Sequence, residues 1–98
     1  MIDITTLADY EDYRNEEHLI LFTDPSWCVP CQMFEPHYEE VANRIGFPAL
    51  RVEIANAEKD LVDEFGVMGV PTLYHVRDGE RVPVKGRTVL AVLREVQN

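Results

Sequence analysis

Residues 18–31 read His18-Leu19-Ile20-Leu21-Phe22-Thr23-Asp24-Pro25-Ser26-Trp27-Cys28-Val29-Pro30-Cys31. The first part of this segment is continuously apolar, which is typical of a central strand covered on both faces. We therefore predict a strand from His18 to Thr23, followed by a helix that begins beside the two cysteines. The helix is indicated by apolar residues at helical spacing, namely Phe34, Tyr38, Val41, Ala42 and Ile45. Gly46 is expected to end it as a left-handed cap.

The remaining residues continue an alternation of helices and strands. The other predicted elements are a helix capped by Thr5 or Thr6 that ends near Asn15, a strand over 49–55, a helix from Asn56 that Gly66 stops, strands over 72–76 and 81–85 around the Asp78-Gly79 turn, and a helix from near Thr88. Pro83 places the last strand at an edge. This order predicts an α/β protein with a mixed sheet and helices on both of its faces.

Composition and charge limit the classes of function. The chain has 98 residues, 46% of them apolar, so we expect residues 1–98 to form one folded domain. Its net charge of -9 would repel phosphate backbones and anionic lipids, which argues against nucleic-acid and membrane binding. The opening residues lack the basic and apolar regions of a signal peptide, so we expect a cytoplasmic protein.

Both cysteines lie directly after the buried strand, at the start of the predicted helix. The first turn of a helix has N–H groups without intrahelical partners, and these groups favour the thiolate form of a cysteine that opens the helix. Cys31 follows Cys28 by about one turn, within reach of the first sulfur and facing inward. We predict dithiol–disulfide exchange, in which Cys28 attacks a substrate disulfide and Cys31 resolves the mixed disulfide.

Two other uses of the cysteine pair are open but weaker. A purely structural disulfide would close a very short loop, for which the chain-entropy relation gives only about 2 kcal/mol. A metal site needs four ligands, and the three histidines, His18, His37 and His75, do not have the spacing from Cys31 found in common zinc motifs. We therefore expect no metal site, and nothing in the sequence calls for a cofactor.

Trp27-Cys28-Val29-Pro30-Cys31 and the segment 65–73 are the two motifs by which the chain resembles the thioredoxin family, and the resemblance extends over nearly its whole length. Residues 27–31 are similar to that family's Trp-Cys-Gly-Pro-Cys, with Val29 in place of glycine, and Met33 and Pro36 fall where its active-site helix usually has Met and a kinking Pro. Residues 65–73, Phe-Gly-Val-Met-Gly-Val-Pro-Thr-Leu, resemble the family's second signature. The resemblance implies the thioredoxin fold, with a central mixed sheet of about five strands flanked by about four helices.

The resemblance also implies a set of substrate-binding residues around the cysteines: Trp27, Val29, Pro30, Val70, Pro71 and Gly86. Pro71 is expected to follow a cis peptide bond, the alternative being an ordinary trans proline that opens a strand. The backbone of Val70 is then free to pair with an extended substrate segment. Trp27 is expected to cover the disulfide and contact substrate, or simply to be partly buried. Gly86 is expected to let substrate approach, although a glycine that merely ends a strand fits almost as well.

One position departs from the family pattern. Many members have an acidic residue six positions before the first cysteine, where it is thought to take the proton of the resolving thiol, and here that position is Phe22. The usual lysine partner falls on Glu53 or Val52, so the familiar buried pair is missing. We expect exchange to be slower as a result. Asp24 and Glu53 are candidate substitutes, although Asp24 also fits a solvated loop acid and water can serve as well.

The leading hypothesis is a monomeric cytoplasmic protein-disulfide reductase. The resemblance implies that a thioredoxin-reductase-type flavoenzyme recharges it and that disulfide-containing proteins are its substrates. Pro30 is the residue most associated with strongly reducing members of the family, which favours a reductase over a more oxidising isomerase or oxidase. The missing proton-relay acid keeps a second class open, a binding or accessory module on which exchange is incidental.

Overall fold

The structure, a computed structural model, describes residues 1–97. Five strands and four α-helices lie within those residues. In chain order they are β1 (Ile2–Asp3), α1 (Leu7–Glu11), β2 (His18–Thr23), α2 (Val29–Arg44), β3 (Ala49–Glu53), α3 (Lys59–Phe65), β4 (Thr72–Arg77), β5 (Glu80–Pro83) and α4 (Val89–Val96), with a short 3₁₀ turn at Ile54–Asn56.

The sheet is mixed, with the strand order β1-β3-β2-β4-β5. The first three strands in that order run parallel, and β4 and β5 are antiparallel to their neighbours. All six residues of β2 are buried, because β2 is central and covered on both faces. The sheet and its helices confirm the fold class expected from the sequence.

Successive side chains of β2 enter two separate cores. Leu19 and Leu21 contribute to the α2–α4 core, which also contains Phe34 and Tyr38 of α2 and Val92 of α4. Ile20 and Phe22 contribute to the α1–α3 core, whose other large members are Tyr10, Leu50, Leu61 and Phe65. Burying an apolar side chain of this size contributes about 1.5–3 kcal/mol. The two cores therefore fix β2, and with it the loop that leads from Thr23 to the cysteines.

Local capping residues define two of the helix starts. The hydroxyl of Thr6 accepts a hydrogen bond from the Asp9 N–H at 3.0 Å, and the Asp9 carboxylate accepts in turn from the Thr6 N–H, which completes a capping box. The hydroxyl of Thr88 accepts from the Ala91 N–H and opens α4. Between β4 and β5, Asp78 and Gly79 both have positive φ, as the predicted tight hairpin requires.

Two expectations about element ends were wrong. Gly46 does not form a left-handed cap, because α2 already ends at Arg44 with Ile45 as its C-cap residue. The extended backbone of Ile45 lets its side chain pack against the α2–α4 core. Asn56 does not start a helix, since its amide donates to Glu53 and closes the 3₁₀ turn instead. The α3 helix begins only after the Glu58 N–H has donated to the carbonyl of Thr5.

Some predicted boundaries also move by a few residues. The α1 helix ends at Glu11 instead of near Asn15, and β3 ends at Glu53 instead of residue 55. The β5 strand covers Glu80–Pro83 instead of 81–85. Within residues 1–97, no helix has the length and apolar character needed to cross a bilayer.

Candidate active site

The two cysteines lie where β2 has ended and α2 begins. Cys28 is the N-cap residue of α2, and its sulfur accepts a hydrogen bond from the Cys31 N–H at 3.2 Å. The sulfurs of Cys28 and Cys31 are joined as a disulfide, with a Cα–Cα distance of 5.2 Å. After reduction, the same N–H and the N-terminal end of the helix dipole would stabilise a thiolate on Cys28. The geometry therefore suits reversible opening and closing of this bond.

The loop between β2 and α2 is held by hydrogen bonds that position Cys28. The Cys28 N–H donates to the carbonyl of Asp24 at 3.1 Å, and the side-chain amide of Gln32 donates to the carbonyl of Pro25 at 2.6 Å. The hydroxyl of Ser26 donates to the Asp24 carboxylate at 2.6 Å. These contacts tie the loop to both the strand and the helix, so the sulfur of Cys28 has a defined location.

Asp24 is not the solvated loop acid that its position in the sequence suggested as one alternative. The residue exposes only 8% of its surface. The hydrogen bond from Ser26 is the main cause of a lowered pKa of Asp24, and a hydrogen bond from the Trp27 side chain acts in the same direction. A carboxylate with a lowered pKa is a weak proton acceptor at neutral pH, because it binds a proton only under more acidic conditions.

The position of the missing acid is filled by an apolar pair. Phe22 is fully buried and lies directly beside Val52 in the register of β2 and β3. Both side chains belong to the α1–α3 core, and the Phe22 ring packs against the ring of Phe65 at 5.1 Å between centroids. Of the two positions considered for the usual lysine, Val52 is the one that lies beside Phe22. The Glu53 carboxylate accepts a hydrogen bond from the Asn56 side-chain amide and lies 3.8 Å from the Arg51 guanidinium, so it is already engaged.

A second loop lies against Cys28. The Val70–Pro71 peptide bond is cis, the conformation expected from the resemblance. The carbonyl oxygen of Val70 lies 3.8 Å from the sulfur of Cys28, and the hydroxyl of Thr72 donates to the carbonyl of Gly69 at 2.6 Å. Within residues 1–97, no acceptor is bound to the Val70 N–H. The main chain of Val70 is thus adjacent to the disulfide and open to pairing with an extended segment.

Exposed apolar side chains surround the cysteines. Trp27 is 67% exposed and Val29 is 58% exposed, so neither is part of a core. Met33 on α2 and Met68 in the second loop are 69% and 99% exposed. Pro30 is exposed as well. Sequence reasoning did not single out Met68, and the only available signal was its place inside the second signature.

The structure gives Gly86 a clear packing reason. A Cβ atom at this position would lie 2.7 Å from the Cβ of Ala91 and 2.8 Å from the Glu95 carboxylate, both on α4. The Gly86 N–H also donates to that carboxylate. Close approach of the chain to α4 therefore requires glycine here, and the proposed opening for substrate remains a prediction.

Sequence reasoning missed Arg87, which follows Gly86. Its guanidinium donates to the carbonyls of Val84 at 2.7 Å and Gly86 at 2.8 Å, and more weakly to that of Pro71 at 3.4 Å. It also lies 5.3 Å from the centroid of the Phe34 ring. Arg87 thus links the loop before α4 to the cis-proline loop and to the active-site helix.

The sequence of the chain can be compared with those of known proteins. The Thioredoxin family model matches residues 4–95. This chain belongs to the thioredoxin family. A thioredoxin from Listeria monocytogenes is 32% identical over 84 residues, which cover 84% of this chain and 81% of that protein. A probable protein disulfide-isomerase A4 from Caenorhabditis elegans is 32% identical over 87 residues, which cover 83% of this chain but 14% of that much longer protein.

Solved thioredoxin structures share the fold. A mutant thioredoxin from Halobacterium salinarum superposes with a TM-score of 0.77 at 28% identity, over 97% of this chain and 89% of that one. A reduced thioredoxin from Schistosoma mansoni has a TM-score of 0.80 at 20% identity, over 98% of this chain and 94% of that one. The five-stranded sheet and its four helices are therefore those of the thioredoxin fold.

Family membership and geometry together define the chemistry. Cys28 and Cys31 form a redox-active disulfide at the start of α2, and the family acts on disulfide-containing protein substrates. This thioredoxin-family chain is a protein-disulfide oxidoreductase. Within residues 1–97, no three His, Cys, Asp or Glu side chains are grouped so that they could hold a metal ion.

Proposed function

We propose that the protein works as a reductase, which passes two electrons from the Cys28–Cys31 dithiol to disulfides of cytoplasmic proteins. A thioredoxin-reductase-type flavoenzyme then restores the dithiol, so the protein serves as a monomeric electron carrier. The observation that carries the proposal is the location of the Cys28 sulfur, which lies at the N-terminus of α2 and 3.8 Å from the Val70 carbonyl. That location joins a site for a thiolate to a main chain open to substrate.

The reaction proceeds in two exchanges. The thiolate of Cys28 attacks one sulfur of the substrate disulfide, forms a mixed disulfide and releases the other substrate sulfur as a thiolate. Cys31 then loses its proton and attacks the mixed disulfide, which restores the Cys28–Cys31 bond and releases the second substrate sulfur as a thiolate. The two released thiolates take up the two protons that the cysteines lose. Since Phe22 replaces the usual acid and Asp24 is a weak acceptor, the proton of Cys31 passes, directly or through water, to the substrate thiolate released in the first exchange, which is the stronger base.

The substrate binds across the exposed side chains that surround the cysteines. Trp27 and Val29 cover one side of the substrate segment, and Pro30 keeps the turn between the cysteines rigid. The segment adds to the main chain of Val70 as a short strand, while Pro71 offers no competing N–H. Gly86, which has no side chain, lets the substrate approach the site. These assignments rest on the positions of the side chains around Cys28.

The reduction potential of the cysteine pair tests the direction of electron transfer. The protein is equilibrated in dithiothreitol or glutathione buffers of known potential, and the fluorescence of Trp27, the single tryptophan of the chain, reports the oxidised fraction. A reductase is expected to give a value near that of thioredoxin, about −270 mV. A value between about −200 and −120 mV would indicate an isomerase or oxidase instead.

Two serine variants test the roles of the cysteines. Cys31→Ser is expected to accumulate a mixed disulfide with a protein substrate, because the resolving thiol is gone. Cys28→Ser is expected to form none and to lose at least about a thousandfold in the rate of substrate reduction. Trapping by Cys28→Ser instead of Cys31→Ser would reverse the roles. A Cys28→Ser, Cys31→Ser double variant that retained full biological function would favour the accessory module.

A further inference from the structure

A cavity beside the active site is unused by the reaction described above. Its volume is about 450 Å³, and its apolar lining comes from Pro30, Met33 and Phe34 of α2 and from Pro71. Pro30 lies between the two cysteines. Pro71 follows Val70, whose carbonyl oxygen lies 3.8 Å from the Cys28 sulfur. A substrate segment that presents a disulfide to Cys28 therefore has neighbouring side chains at the mouth of this cavity.

Arg87 gives the cavity a positive charge at its wall. An arginine has five N–H donors, and three of those of Arg87 donate to main-chain carbonyls. The Nε–H and one Nη2–H have no acceptor within residues 1–97, and in the same residues no carboxylate forms an ion pair with Arg87. Glu95, the nearby acid, is occupied by the main-chain N–H groups of Lys85 and Gly86. The guanidinium is thus held in place with two donors left over.

Those two donors match a carboxylate. A planar guanidinium with two N–H groups left over can donate to both oxygens of a carboxylate at once. Glutamate adds two methylene groups, which can lie against Phe34 and Pro71. Because the whole chain carries a net charge of -9, much of its surface repels an acidic segment, and the positive charge of Arg87 offsets this repulsion at the cavity. Charge complementarity therefore selects an acidic side chain as the occupant.

We propose that this cavity is a subsite for an acidic side chain, preferably glutamate, that lies next to the attacked cysteine of a protein substrate, with Arg87 as the residue that determines the preference. The proposal rests on the proposed reductase function. Arg87 does not take part in the exchange of sulfur atoms. It raises the rate with which one class of protein disulfide is attacked.

Matched peptides test the preference without any change to the protein. Each peptide carries one intramolecular disulfide. The two peptides of a pair differ at a single residue next to one cysteine, which is Glu in one peptide and Gln in the other. One pair places this residue before the cysteine and a second pair places it after the cysteine. Pre-reduced protein is mixed with each peptide, and Trp27 fluorescence gives the second-order rate constant of a single turnover. At one position the Glu peptide is expected to react about tenfold faster than the Gln peptide, which corresponds to about 1.4 kcal/mol. The ratio is expected to fall as salt is added.

Three variants assign the preference to Arg87. Arg87→Gln is expected to bring the Glu-to-Gln ratio to about one, and only this ratio is read out, because the lost hydrogen bonds to Val84, Gly86 and Pro71 change the rates of both peptides alike. Arg87→Lys is expected to keep part of the ratio, since lysine keeps the charge but not the paired donors. Arg77→Gln is the control, because it removes the same charge from an exposed residue at the far end of β4 and should leave the ratio unchanged.

The outcomes separate this proposal from the proposed function. If wild-type protein reduces all peptides at equal rates, the subsite is refuted while the reductase function stands. If no peptide is reduced, the reductase function itself fails. An equal loss for both peptides in Arg87→Gln would make Arg87 a residue that only positions the loop, and would overturn the proposal. A dependence on Arg87 that appears for glutathione disulfide and not for peptides would assign the subsite to a small molecule instead.

Discussion

At the end of β2 that leads to the cysteines, apolar side chains are exposed, whereas at its other end even histidines are buried and paired. Around the cysteines, Trp27 and Met68 are 67% and 99% exposed. At the distal end of the sheet, which we define by Glu16, Glu17, His18 and His75, polar groups meet in pairs. His18 contacts the Glu16 carbonyl at 2.8 Å and the Tyr10 hydroxyl at 3.0 Å, and His75 contacts the Glu17 carboxylate at 2.8 Å.

This difference separates stability from function along a single strand. Buried polar groups that find partners at the distal end cost little free energy, so this end can hold the sheet together. At the cysteine end, the Val70 N–H and two donors of Arg87 have no acceptor within residues 1–97. Groups of this kind are available to a substrate. Substitutions of buried residues should therefore change mainly the free energy of unfolding, and substitutions of the unpaired groups near the cysteines should change mainly the rate of substrate reduction.

The largest effect is expected when the acid usual in the family is placed at Phe22. Phe22→Asp replaces a fully buried ring by a carboxylate beside Val52, and we expect the free energy of unfolding at neutral pH to fall by about 3–5 kcal/mol. Urea denaturation measures this loss. Phe22→Asn has nearly the same shape without the charge, so the difference between the two variants isolates the cost of the buried charge.

A second substitution sharpens this test. Adding Val52→Lys to Phe22→Asp places a cation beside the carboxylate in the register of β2 and β3, and we expect it to recover part of the stability. Val52→Lys added to Phe22→Asn should give no such recovery. If Phe22→Asp were as stable as Phe22→Asn, the α1–α3 core near the cysteines would have to admit water, contrary to the tight packing of Phe22 against Phe65.

A smaller, pH-dependent effect is expected at the distal end. Burial is the main cause that lowers the pKa of His18, with Arg81 and His75 acting in the same direction and the carbonyl and charge of Glu16 opposing them. In the unfolded chain His18 binds a proton near its ordinary pKa of 6.5, and in the folded protein only at lower pH. The unfolded state thus gains a proton first as the pH falls, so the stability contributed by neutral His18 is present above about pH 6.5 and lost below it.

The variant His18→Gln removes this titration. Glutamine stays neutral and can still accept a hydrogen bond from the Tyr10 hydroxyl. We expect the free energy of unfolding, measured by urea denaturation at pH 7.5 and 5.5, to fall less in His18→Gln than in wild type. His37→Gln is the control, since it removes a half-exposed histidine elsewhere and should leave the wild-type pH dependence in place. Equal pH dependence in His18→Gln and wild type would show that His18 remains accessible to protons.

The parts of the molecule that sequence reasoning predicted are those with local signals. The continuous apolar run of β2 and the Asp78-Gly79 turn each specify their structure within a few neighbouring residues. The cysteine motif could be placed at the start of α2 for the same reason. Strand β1 was not assigned, because it has only two exposed residues and becomes a strand solely by pairing with β3.

The parts that were not predicted depend on contacts between distant residues. The end of α2 depends on where Ile45 finds the α2–α4 core, so the glycine next to it was a misleading signal. Arg87 could not be placed either, since its partners include a carbonyl 16 residues away at Pro71 and a ring on α2. The sequence shows which residues can carry charge or hydrogen bonds, but only the tertiary structure shows which of their donors remain unused.

The smallest effect is expected at Thr23, the last residue of β2. Its side chain is fully buried, and within residues 1–97 its hydroxyl is the only buried side-chain polar group without a hydrogen-bond partner. Thr23→Val keeps the shape and removes the hydroxyl, so the free energy of unfolding in urea should rise, by about 1 kcal/mol at most. Thr72→Val is the matched control, and it should lose about 1 kcal/mol because the Thr72 hydroxyl donates to Gly69. Destabilisation by Thr23→Val would mean that an internal water binds this hydroxyl. The buried side-chain polar groups at the cysteine end would then all have hydrogen-bond partners, as those at the distal end do.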